Sequence, residues 1–381
     1  MTLPSSKAST TMPPLDDAIT VLVVDDSAVI RGLISKSLEG KHGIKVVGTA
    51  SNGEVAIAAL ARHPADVVIL DIEMPVMDGL TAIPRLKAID PAVQIIMAST
   101  LTKKNADISL KAMSLGATDY VPKPSGNTEL ARADDFHREL GEKVLALGAL
   151  ARRQGVRRSA ADLRLPPKPY TPPPIEKKNI VLRPDPIPRP EILAIGSSTG
   201  GPQALFTVIK AMGLNLPQPI VITQHMPPAF TSILAEHISR QCNVVCTEGK
   251  DGEVLKPSQY YVAPGDFHML IVKGPNGPAI KLVKDPPENF CRPAVDPMLR
   301  SIISVYGKRI VVAILTGMGQ DGCKGCQEVV KVGGGVLAQD EASSVVWGMP
   351  GAVAMAGVCS SVLPVAEIGN AVRNLATKAA P

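Results

Sequence analysis

Proline divides this chain more sharply than any other feature of its sequence. Ten prolines lie between Pro166 and Pro190. Each removes a backbone N–H donor and fixes φ, so neither a helix nor a sheet ladder can run through the segment. We therefore predict a linker, with a folded region on either side that is long enough to bury a core of its own.

Most of the positive charge lies in the same part of the chain. Residues 151–190 contain ten Lys or Arg against three Asp or Glu, a local charge of +7 in a chain whose formal net charge is +5, so the remainder carries −2. Nucleic-acid binding needs basic residues on one folded face. The near-neutral folded regions lack this surplus, and we expect no nucleic-acid partner.

The apolar runs, the first fifteen residues and the cysteines lead us to expect an intracellular protein. No apolar run approaches the roughly 18 to 20 residues that span a bilayer, and the first fifteen residues lack a hydrophobic signal segment, so we expect no transmembrane segment and a cytoplasmic location. Residues 1–17 are typical of a disordered leader. The six cysteines are expected to be reduced. A zinc site is disfavoured because no knuckle-like turn surrounds the pairs Cys242/Cys246 and Cys323/Cys326.

Short apolar runs alternate with helical stretches on both sides of the linker, which predicts parallel sheets covered by helices on both faces. The predicted strands of the first region are Val21–Val24, Lys45–Gly48, Val67–Leu70, Gln94–Met97 and Asp119–Val121, followed by a long helix from about Thr128 to Arg153. Those of the second are Ile192–Ile195, Ile220–Thr223, Val244–Thr247, Ile310–Leu315 and Val336–Ala338. The stretch 254–283 lacks helical periodicity and predicts an inserted hairpin region.

Three carboxylates end strands of the first region. Asp25 and Asp26 follow the first strand and Asp71 ends the third. Because the carboxyl ends of parallel strands meet at one edge, we expect these groups to converge. Clustered carboxylates need a cation, and a hard oxygen site with few protein ligands suits Mg²⁺. Asp71 could then attack a phosphoryl group in line.

Two further groups fall on the same edge. Lys123 follows the fifth strand and would supply positive charge, and Ser99 ends the fourth and would supply a hydroxyl. An acid at one strand end alone is more simply read as a helix cap. The joint occurrence of the acids, the hydroxyl and the Lys123–Pro124 dipeptide argues against helix capping as the explanation for the whole set.

The motifs VLVVDDS, LDIEMPVMDG, IMAST and DYVPKP make residues 18–140 resemble the response-regulator receiver family. The resemblance implies a flavodoxin-like (βα)5 domain that is phosphorylated on Asp71 by a histidine kinase. It implies that Mg²⁺ is held by Asp25, Asp26, Asp71 and the carbonyl of Glu73. It also implies that Ser99 and Tyr120 are switch residues and that the Lys123–Pro124 bond is cis.

The second region opens with a Gly-x-Ser-x-Gly pattern between a strand and a helix. Gly196 to Pro202 follow the first strand, with Ser198 at the centre of the pattern. Such a turn exposes a nucleophile beside unpaired N–H groups of a helix N-terminus. The same glycine-rich turn could cradle phosphate, but no Lys follows it and no acid ends the next strand. A non-enzymatic nucleotide-binding domain is therefore the weaker alternative.

A histidine and an aspartate complete the candidate constellation. His225 follows the second strand of this region, and Asp321 lies in a loop after the apolar strand 310–315. Alone, His225 would more often be structural and Asp321 a helix cap. On one sheet edge with Ser198 they predict a triad in which Asp321 orients His225. The order Ser, His, Asp differs from that of ordinary α/β-hydrolases.

The motifs IGSSTGG, TQHMPP and LTGMGQDG make residues 190–376 resemble the catalytic domain of the chemotaxis protein-glutamate methylesterase family. The resemblance implies a Rossmann-like domain that hydrolyses glutamate methyl esters and deamidates glutamines on methyl-accepting chemotaxis receptors. It implies Ser198 as nucleophile, His225 as general acid and base, and the N–H of Thr199 or Met318 as oxyanion donor, with no cofactor for the esterase reaction.

Other residues match the family without a chemical step assigned to them. Asn289, Arg292 and Asp296 in NFCRPAVD resemble a signature near the site, and Ser197 stands where the family often has Ala, with little consequence expected. Residues 141–189 are predicted to be a helix extension and the basic linker. A response regulator with a DNA-binding second half would need a helix-turn-helix, and no such pattern is present.

Overall fold

A computed structural model describes residues 18–39, 41, 43–100, 102–123, 130–155, 180–184 and 187–377, with side chains of the helix that begins at Leu130 described from residue 136 onward. The predicted leader, residues 1–17, most of the predicted linker and Pro124 lie outside the described residues. The described residues divide into two compact units, one drawn from residues 1–94 and 128–155 and the other from 95–127 and 156–381. The predicted domain boundaries remain predictions.

The first sheet has five strands in the order β2-β1-β3-β4-β5, the flavodoxin-like arrangement. Its strands are β1 (Ile19–Val24), β2 (Ile44–Ala50), β3 (Val67–Asp71), β4 (Gln94–Ser99) and β5 (Asp119–Pro122). Its helices are α1 (Ala28–Glu39), α2 (Gly53–Arg62), α3 (Gly79–Ile89), α4 (Lys103–Ser114) and α5 (Leu130–Gln154). All five strands therefore lie where the alternation predicted them, with ends that differ by a few residues.

Polar side chains start three of these helices. The side chains of Asn52, Asp78 and Thr102 accept the N–H groups of Val55, Thr81 and Asn105, respectively. Each bond satisfies a donor that the first helical turn leaves unpaired. The three helices thus begin after the ends of β2, β3 and β4, at the edge where the carboxylates collect.

The second sheet has seven strands in the order β14-β13-β12-β6-β7-β9-β8, and every strand pair described in it is parallel. Its strands are β6 (Ile192–Ser197), β7 (Ile220–Gln224), β8 (Val245–Glu248), β9 (Gln259–Val262), β12 (Ile310–Ile314), β13 (Gly335–Gln339) and β14 (Ser361–Leu363). The first strand of the region, β6, has β7 on one side and β12 on the other. This is the topological switch point, where doubly wound sheets bind ligands.

Helices cover both faces of this sheet, as the continuous apolar strands predicted. They are α6 (Gly201–Met212), α7 (Phe230–Cys242), α8 (Val295–Tyr306), α9 (Cys323–Lys331), α10 (Met349–Met355) and α11 (Val365–Thr377). Alternate residues Ile192 and Ala194 of β6 belong to one core with α8, α9 and α10. The intervening Leu193 and Ile195 are equally buried, on the face that α6, α7 and α11 cover.

The stretch 254–283 is only partly the predicted hairpin. Strands β10 (His268–Gly274) and β11 (Gly277–Val283) pair antiparallel as a separate two-stranded sheet. The prediction was wrong for β9, which pairs parallel with β7 and β8 inside the main sheet. Its four residues are too few to show a period in the sequence. Strand β14, at the sheet edge, was not predicted.

None of the helices in the described ranges combines the length and apolar character needed to cross a bilayer. All six cysteines are free thiols.

Candidate active site and acidic cluster

Ser198 lies in a tight turn between β6 and α6. Its N–H donates to the carbonyl of Thr316, at 3.0 Å, and its carbonyl accepts the N–H of Gly201, at 2.7 Å. The first bond ties the turn to the loop that follows β12, and the second starts α6. Ser198 is partly exposed, whereas Ser197 and Thr199 on either side are buried. The turn therefore directs one hydroxyl of the Ser197–Thr199 run towards solvent.

Two glycines in the turn admit no side chain. Gly200 has φ +74°, and a Cβ there would lie 2.6 Å from the side chain of Val345. A Cβ on Gly201 would lie 2.0 Å from Oε1 of Gln224. The glycines of the motif thus permit a left-handed turn and a close approach of chains.

Gln224 joins the Ser198 turn to the end of β7. Its Oε1 accepts the hydroxyl of Ser197 at 2.6 Å, and its Nε2 donates to the carbonyls of Ser198, at 2.9 Å, and His225, at 3.2 Å. The side chains of Ser197 and Gln224 are both buried. The Ser197 hydroxyl therefore supports the site, although the sequence suggested that alanine would serve as well.

His225 and Asp321 form the central contact of the site. Nε2 of His225 lies 2.7 Å from Oδ2 of Asp321, and the backbone N–H of His225 donates to Ser197 at 3.1 Å. Ser198, His225 and Asp321 follow β6, β7 and β12, three adjacent strands. Within the described residues, however, no hydrogen bond links the Ser198 hydroxyl to His225.

The carboxylate of Asp321 is held at the N-terminus of α8. It accepts N–H groups from Val295 at 2.6 Å, Asp296 at 3.2 Å and Gly322 at 2.9 Å. Burial opposes its charge, but the hydrogen bond and charge of His225 and the backbone donors outweigh burial and lower the pKa of Asp321. A helix N-terminus also favours a negative charge there. Asp321 is therefore ionised beside His225.

A two-residue turn brings Asn289 to the same carboxylate. Glu288 and Cys291 exchange backbone hydrogen bonds, while Asn289 and Phe290 have φ values of +51° and +63°. Nδ2 of Asn289 donates to Asp321 at 2.9 Å and to Asp296 at 3.1 Å. Burial and the charge of Asp321 raise the pKa of Asp296, against the hydrogen bonds of Gly325 and Asn289. Asn289 thus bridges two buried carboxyl groups.

The same turn places Cys291 against His225. The Sγ atom lies 3.3 Å from Nδ1, the ring nitrogen that Asp321 does not contact. Arg292, by contrast, leaves the site and bonds the carboxylate of Asp266 and the carbonyls of Lys284 and Asp285.

The loop after β12 runs alongside Ser198. A Cβ on Gly317 would lie 2.9 Å from both the N and the Cβ of Ser198, so the two backbones are in contact. Among the described residues, the N–H groups of Thr199 and Met318 donate no hydrogen bond. Both predicted oxyanion donors therefore remain available for an acceptor outside the protein.

The acidic cluster of the first sheet forms as predicted. Asp25, Asp26 and Asp71 each offer one carboxylate oxygen, and these atoms lie within 4.8 Å of one another. Within the described ranges this is the only such group of potential metal ligands. Hard oxygen donors that need a cation to offset their repulsion fit a divalent ion such as Mg²⁺.

Backbone geometry fixes Asp71 within the cluster. Its Oδ1 accepts the N–H of Ile72 at 2.7 Å, and Gly79 donates its own N–H to the carbonyl of Ile72 at 2.9 Å. A Cβ on Gly79 would lie 2.2 Å from the carbonyl oxygen of Asp71. Gly79 of the motif is therefore required by this close approach.

The remaining residues predicted for the receiver occupy ends of the same sheet. Ser99 ends β4 and is buried, with its hydroxyl 3.3 Å from that of Ser109. Lys123 follows β5 and donates its N–H to the carbonyl of Ser99 at 2.8 Å. Glu73 is exposed after β3. The predicted cis bond to Pro124 lies outside the described residues.

Tyr120 of β5 is buried in an aromatic contact within the second unit. Its ring stacks on that of Phe230, with centroids 4.5 Å apart and planes at 16°. Nearby, Nε2 of His237 lies 2.8 Å from Oδ1 of Asp107 on α4, and Gln203 donates to the carbonyls of Met113 and Ala117. Helix α4 and β5 are thus packed on α6 and α7.

Known proteins resemble both halves of the chain. The CheB methylesterase family model matches residues 193–372, and that of the response regulator receiver domain matches residues 21–133. The protein-glutamate methylesterase/protein-glutamine glutaminase of Azospirillum brasilense is 57% identical over 371 residues, which cover 96% of this chain and 94% of that protein. The chain belongs to this methylesterase family.

Two further proteins are similar to this chain. A protein-glutamate methylesterase/protein-glutamine glutaminase of Rhodospirillum centenum is 56% identical, over 96% of this chain and 95% of that protein. The crystal structure of the Thermotoga maritima CheB methylesterase catalytic domain is 41% identical, with a TM-score of 0.48, and covers 49% of this chain and 98% of that one.

Three residues of the methylesterase site had no role in the sequence interpretation or an incomplete one. In the sequence, Gln224 stands out only as part of the TQHMPP motif and Asn289 only as part of the NFCRPAVD signature, and no local pattern gives Cys291 a role. Each acts through a turn or a side chain that connects segments distant in sequence. For Asn289 the usable signal was its place before a bulky residue in a turn, where Asn tolerates positive φ.

Proposed function

We propose that Ser198, His225 and Asp321 are the catalytic triad of this methylesterase, and that the acidic cluster around Asp71 regulates it. As a member of its family, the chain is a protein-glutamate methylesterase and protein-glutamine glutaminase of chemotaxis, controlled by its receiver domain. The observation that supports the triad most directly is the 2.7 Å contact between His225 and Asp321 on the strand edge that carries Ser198.

Asp321 selects the proton state of the base. Because its ionised carboxylate accepts a hydrogen bond from Nε2–H of His225, Nδ1 is left to accept the hydroxyl proton of Ser198. Ser198 Oγ then bonds to the ester or amide carbon, and His225 returns the proton to the departing methanol or ammonia. Water hydrolyses the acyl-enzyme by the same proton path and leaves a glutamate carboxylate.

The carbonyl oxygen gains negative charge when Ser198 attacks. The N–H groups of Thr199 and Met318 flank Ser198 on two different loops and carry no internal hydrogen bond among the described residues. Donors that are already in place stabilise such an oxyanion without reorganising. One donor of this kind typically contributes about 10²- to 10³-fold in rate.

Regulation starts at the acidic cluster. Asp25, Asp26, Asp71 and the carbonyl of Glu73 would hold Mg²⁺, which would offset their charge and supply positions for phosphoryl oxygens. Asp71 accepts the phosphoryl group from a histidine kinase of chemotaxis, and Lys123 supplies positive charge to it. Ser99 and Tyr120 are the switch residues that change position on phosphorylation. The substrates are methyl-accepting chemotaxis receptors.

A fluorophosphonate probe tests the nucleophile and separates a serine hydrolase from a domain that only binds nucleotides. We expect covalent labelling at Ser198 in the full chain and none in Ser198→Ala. The same variant should release no methanol from methylated receptor membranes. Its unfolding temperature should equal that of the wild type. Near wild-type release by a folded Ser198→Ala protein would refute the assignment.

A further inference from the structure

The Sγ atom of Cys291 occupies the position on His225 that the proposed mechanism needs. Asp321 contacts Nε2, and Cys291 lies 3.3 Å from Nδ1. Ser198 must reach the same Nδ1 to lose its proton, yet no bond between its hydroxyl and the ring is present among the described residues. Two side chains therefore compete for one ring nitrogen.

The thiol is held there by the local backbone. Glu288 N–H donates to the Cys291 carbonyl at 3.1 Å, and Cys291 N–H donates back at 2.9 Å. Asn289, inside the same turn, is anchored on Asp321 and Asp296. Both ends and the interior of the turn are therefore fixed, which holds the backbone of Cys291 beside His225.

The charges around His225 favour its cationic form. Burial lowers the pKa of His225, but the negative charge of Cys291, the hydrogen bond and charge of Asp321 and the hydrogen bond of Cys291 outweigh burial and raise it to about 10. Asp321 faces the ring from the loop after β12 and Cys291 from the 288–291 turn, and Asp296 of α8 lies behind Asn289. A neighbouring imidazolium in turn favours a thiolate.

We propose that Cys291 is a positioning residue that forms a thiolate–imidazolium pair with His225 and sets the pH at which His225 can accept the proton of Ser198. In forming the pair, the thiol proton moves from Sγ to Nδ1. Before attack, that proton returns to Sγ, which restores a neutral thiol and a free Nδ1 for the hydroxyl proton. No electrons are exchanged.

The pairing itself is tested without any assay of activity. The full chain is alkylated with iodoacetamide between pH 5 and 9, and the rate at each cysteine is measured by peptide mass spectrometry. Cys323 is the internal control, since it is also partly exposed and burial and the charge of Asp296 raise its pKa. We expect Cys291 to react at least about tenfold faster than Cys323 at pH 6.

His225→Gln should abolish this advantage, because the imidazolium that would stabilise the thiolate is gone. A Cys291 rate that follows pH as Cys323 does, or that is the same in His225→Gln, would overturn the pairing.

The second arm rests on the proposed function and follows methanol release against pH. In Cys291→Ala and Cys291→Ser, the acid limb of the kcat/KM profile should move up by about 1 pH unit, because the ion pair has the same number of protons as its active tautomer and forms at a lower pH than that at which His225 alone loses its proton. A lower plateau with an unmoved limb would indicate a structural role only and overturn the proposal. If Ser198→Ala still releases methanol, the assignment of the triad is refuted. The alkylation experiment still tests the pairing of Cys291 with His225.

Discussion

The carboxylate of Asp321 accepts the backbone N–H of Val295, the first residue of α8, over 2.6 Å. The oxygen that makes this bond, Oδ2, is also the one that contacts His225. One carboxylate therefore closes a helix N-terminus and orients a histidine. Removing its charge should affect stability and chemistry together.

Replacing Asp321 by Asn tests this double role. We expect kcat to fall on the order of 10³- to 10⁴-fold, because His225 loses the acceptor that fixes its tautomer. The free energy of unfolding should fall by about 1–3 kcal/mol, because the Asn amide group offers fewer acceptors to the α8 N-terminus. Asp251→Asn is the matched control, since this exposed carboxylate also accepts a backbone N–H, from Leu282. Equal losses in both variants would contradict the prediction.

The pH dependence of stability should reveal the raised pKa of His225. A folded-state pKa of about 10 lies above the unfolded value of about 6.5. The stabilisation is then fully present below pH 6.5 and is lost as the pH rises towards 10. Urea unfolding at pH 6, 8 and 9.5 should give a difference between wild type and His225→Gln that shrinks with pH. Parallel curves would count against the raised pKa.

Asn289 should tolerate no added charge. Asn289→Asp places a third carboxyl group against Asp321 and Asp296, so we expect a loss of about 3–5 kcal/mol in the free energy of unfolding at pH 7. The loss should shrink at pH 5, where one carboxyl group can take up a proton. Asn276→Asp, at an exposed turn, is the matched control. Chemical unfolding at both pH values measures the effect, and a loss that does not depend on pH would contradict this account.

The stack of Tyr120 on Phe230 should restrain the unphosphorylated enzyme. An aromatic pair contributes about 0.5–1.5 kcal/mol, so Phe230→Ala should raise basal methanol release by roughly 2- to 12-fold in the full chain. The response to a small phosphodonor should shrink correspondingly. Tyr120→Phe preserves the two rings and is the control for the stack. Unchanged basal release from a folded Phe230→Ala protein would argue against restraint through this contact.

The sequence predicts this fold well because both sheets are parallel and buried on both faces. Strands such as β6 and β12 are then continuous apolar runs, and polar residues that follow them fall on a known edge. Together with the Gly-x-Ser-x-Gly pattern and the family motifs, this allowed Ser198, His225 and Asp321 to be placed on one sheet edge from the sequence. Strand β9 was not predicted because its pairing with β7 and β8 produces no pattern in its own four residues.

The finer parts of the site depend on geometry that no local pattern encodes. The Ser197 hydroxyl matters through Gln224, 27 residues away, and Cys291 meets His225 across 66 residues. Asp321 was expected either to cap a helix or to orient a histidine, and it does both because the helix it closes is α8 rather than the one that follows it. Such pairings appear only once the strands are placed side by side.

The pairing of β6 with β12 joins residues as distant as Ile192 and Ile310. The ribosome synthesises the chain from the N-terminus onward. Contacts between residues distant in sequence can form only after both residues have been made. The site of Ser198 and His225 therefore cannot assemble until Asp321 has been synthesised, which happens long after the Asp71 segment has left the ribosome. The hydrolase cannot become active on a nascent chain before the part that regulates it has been made.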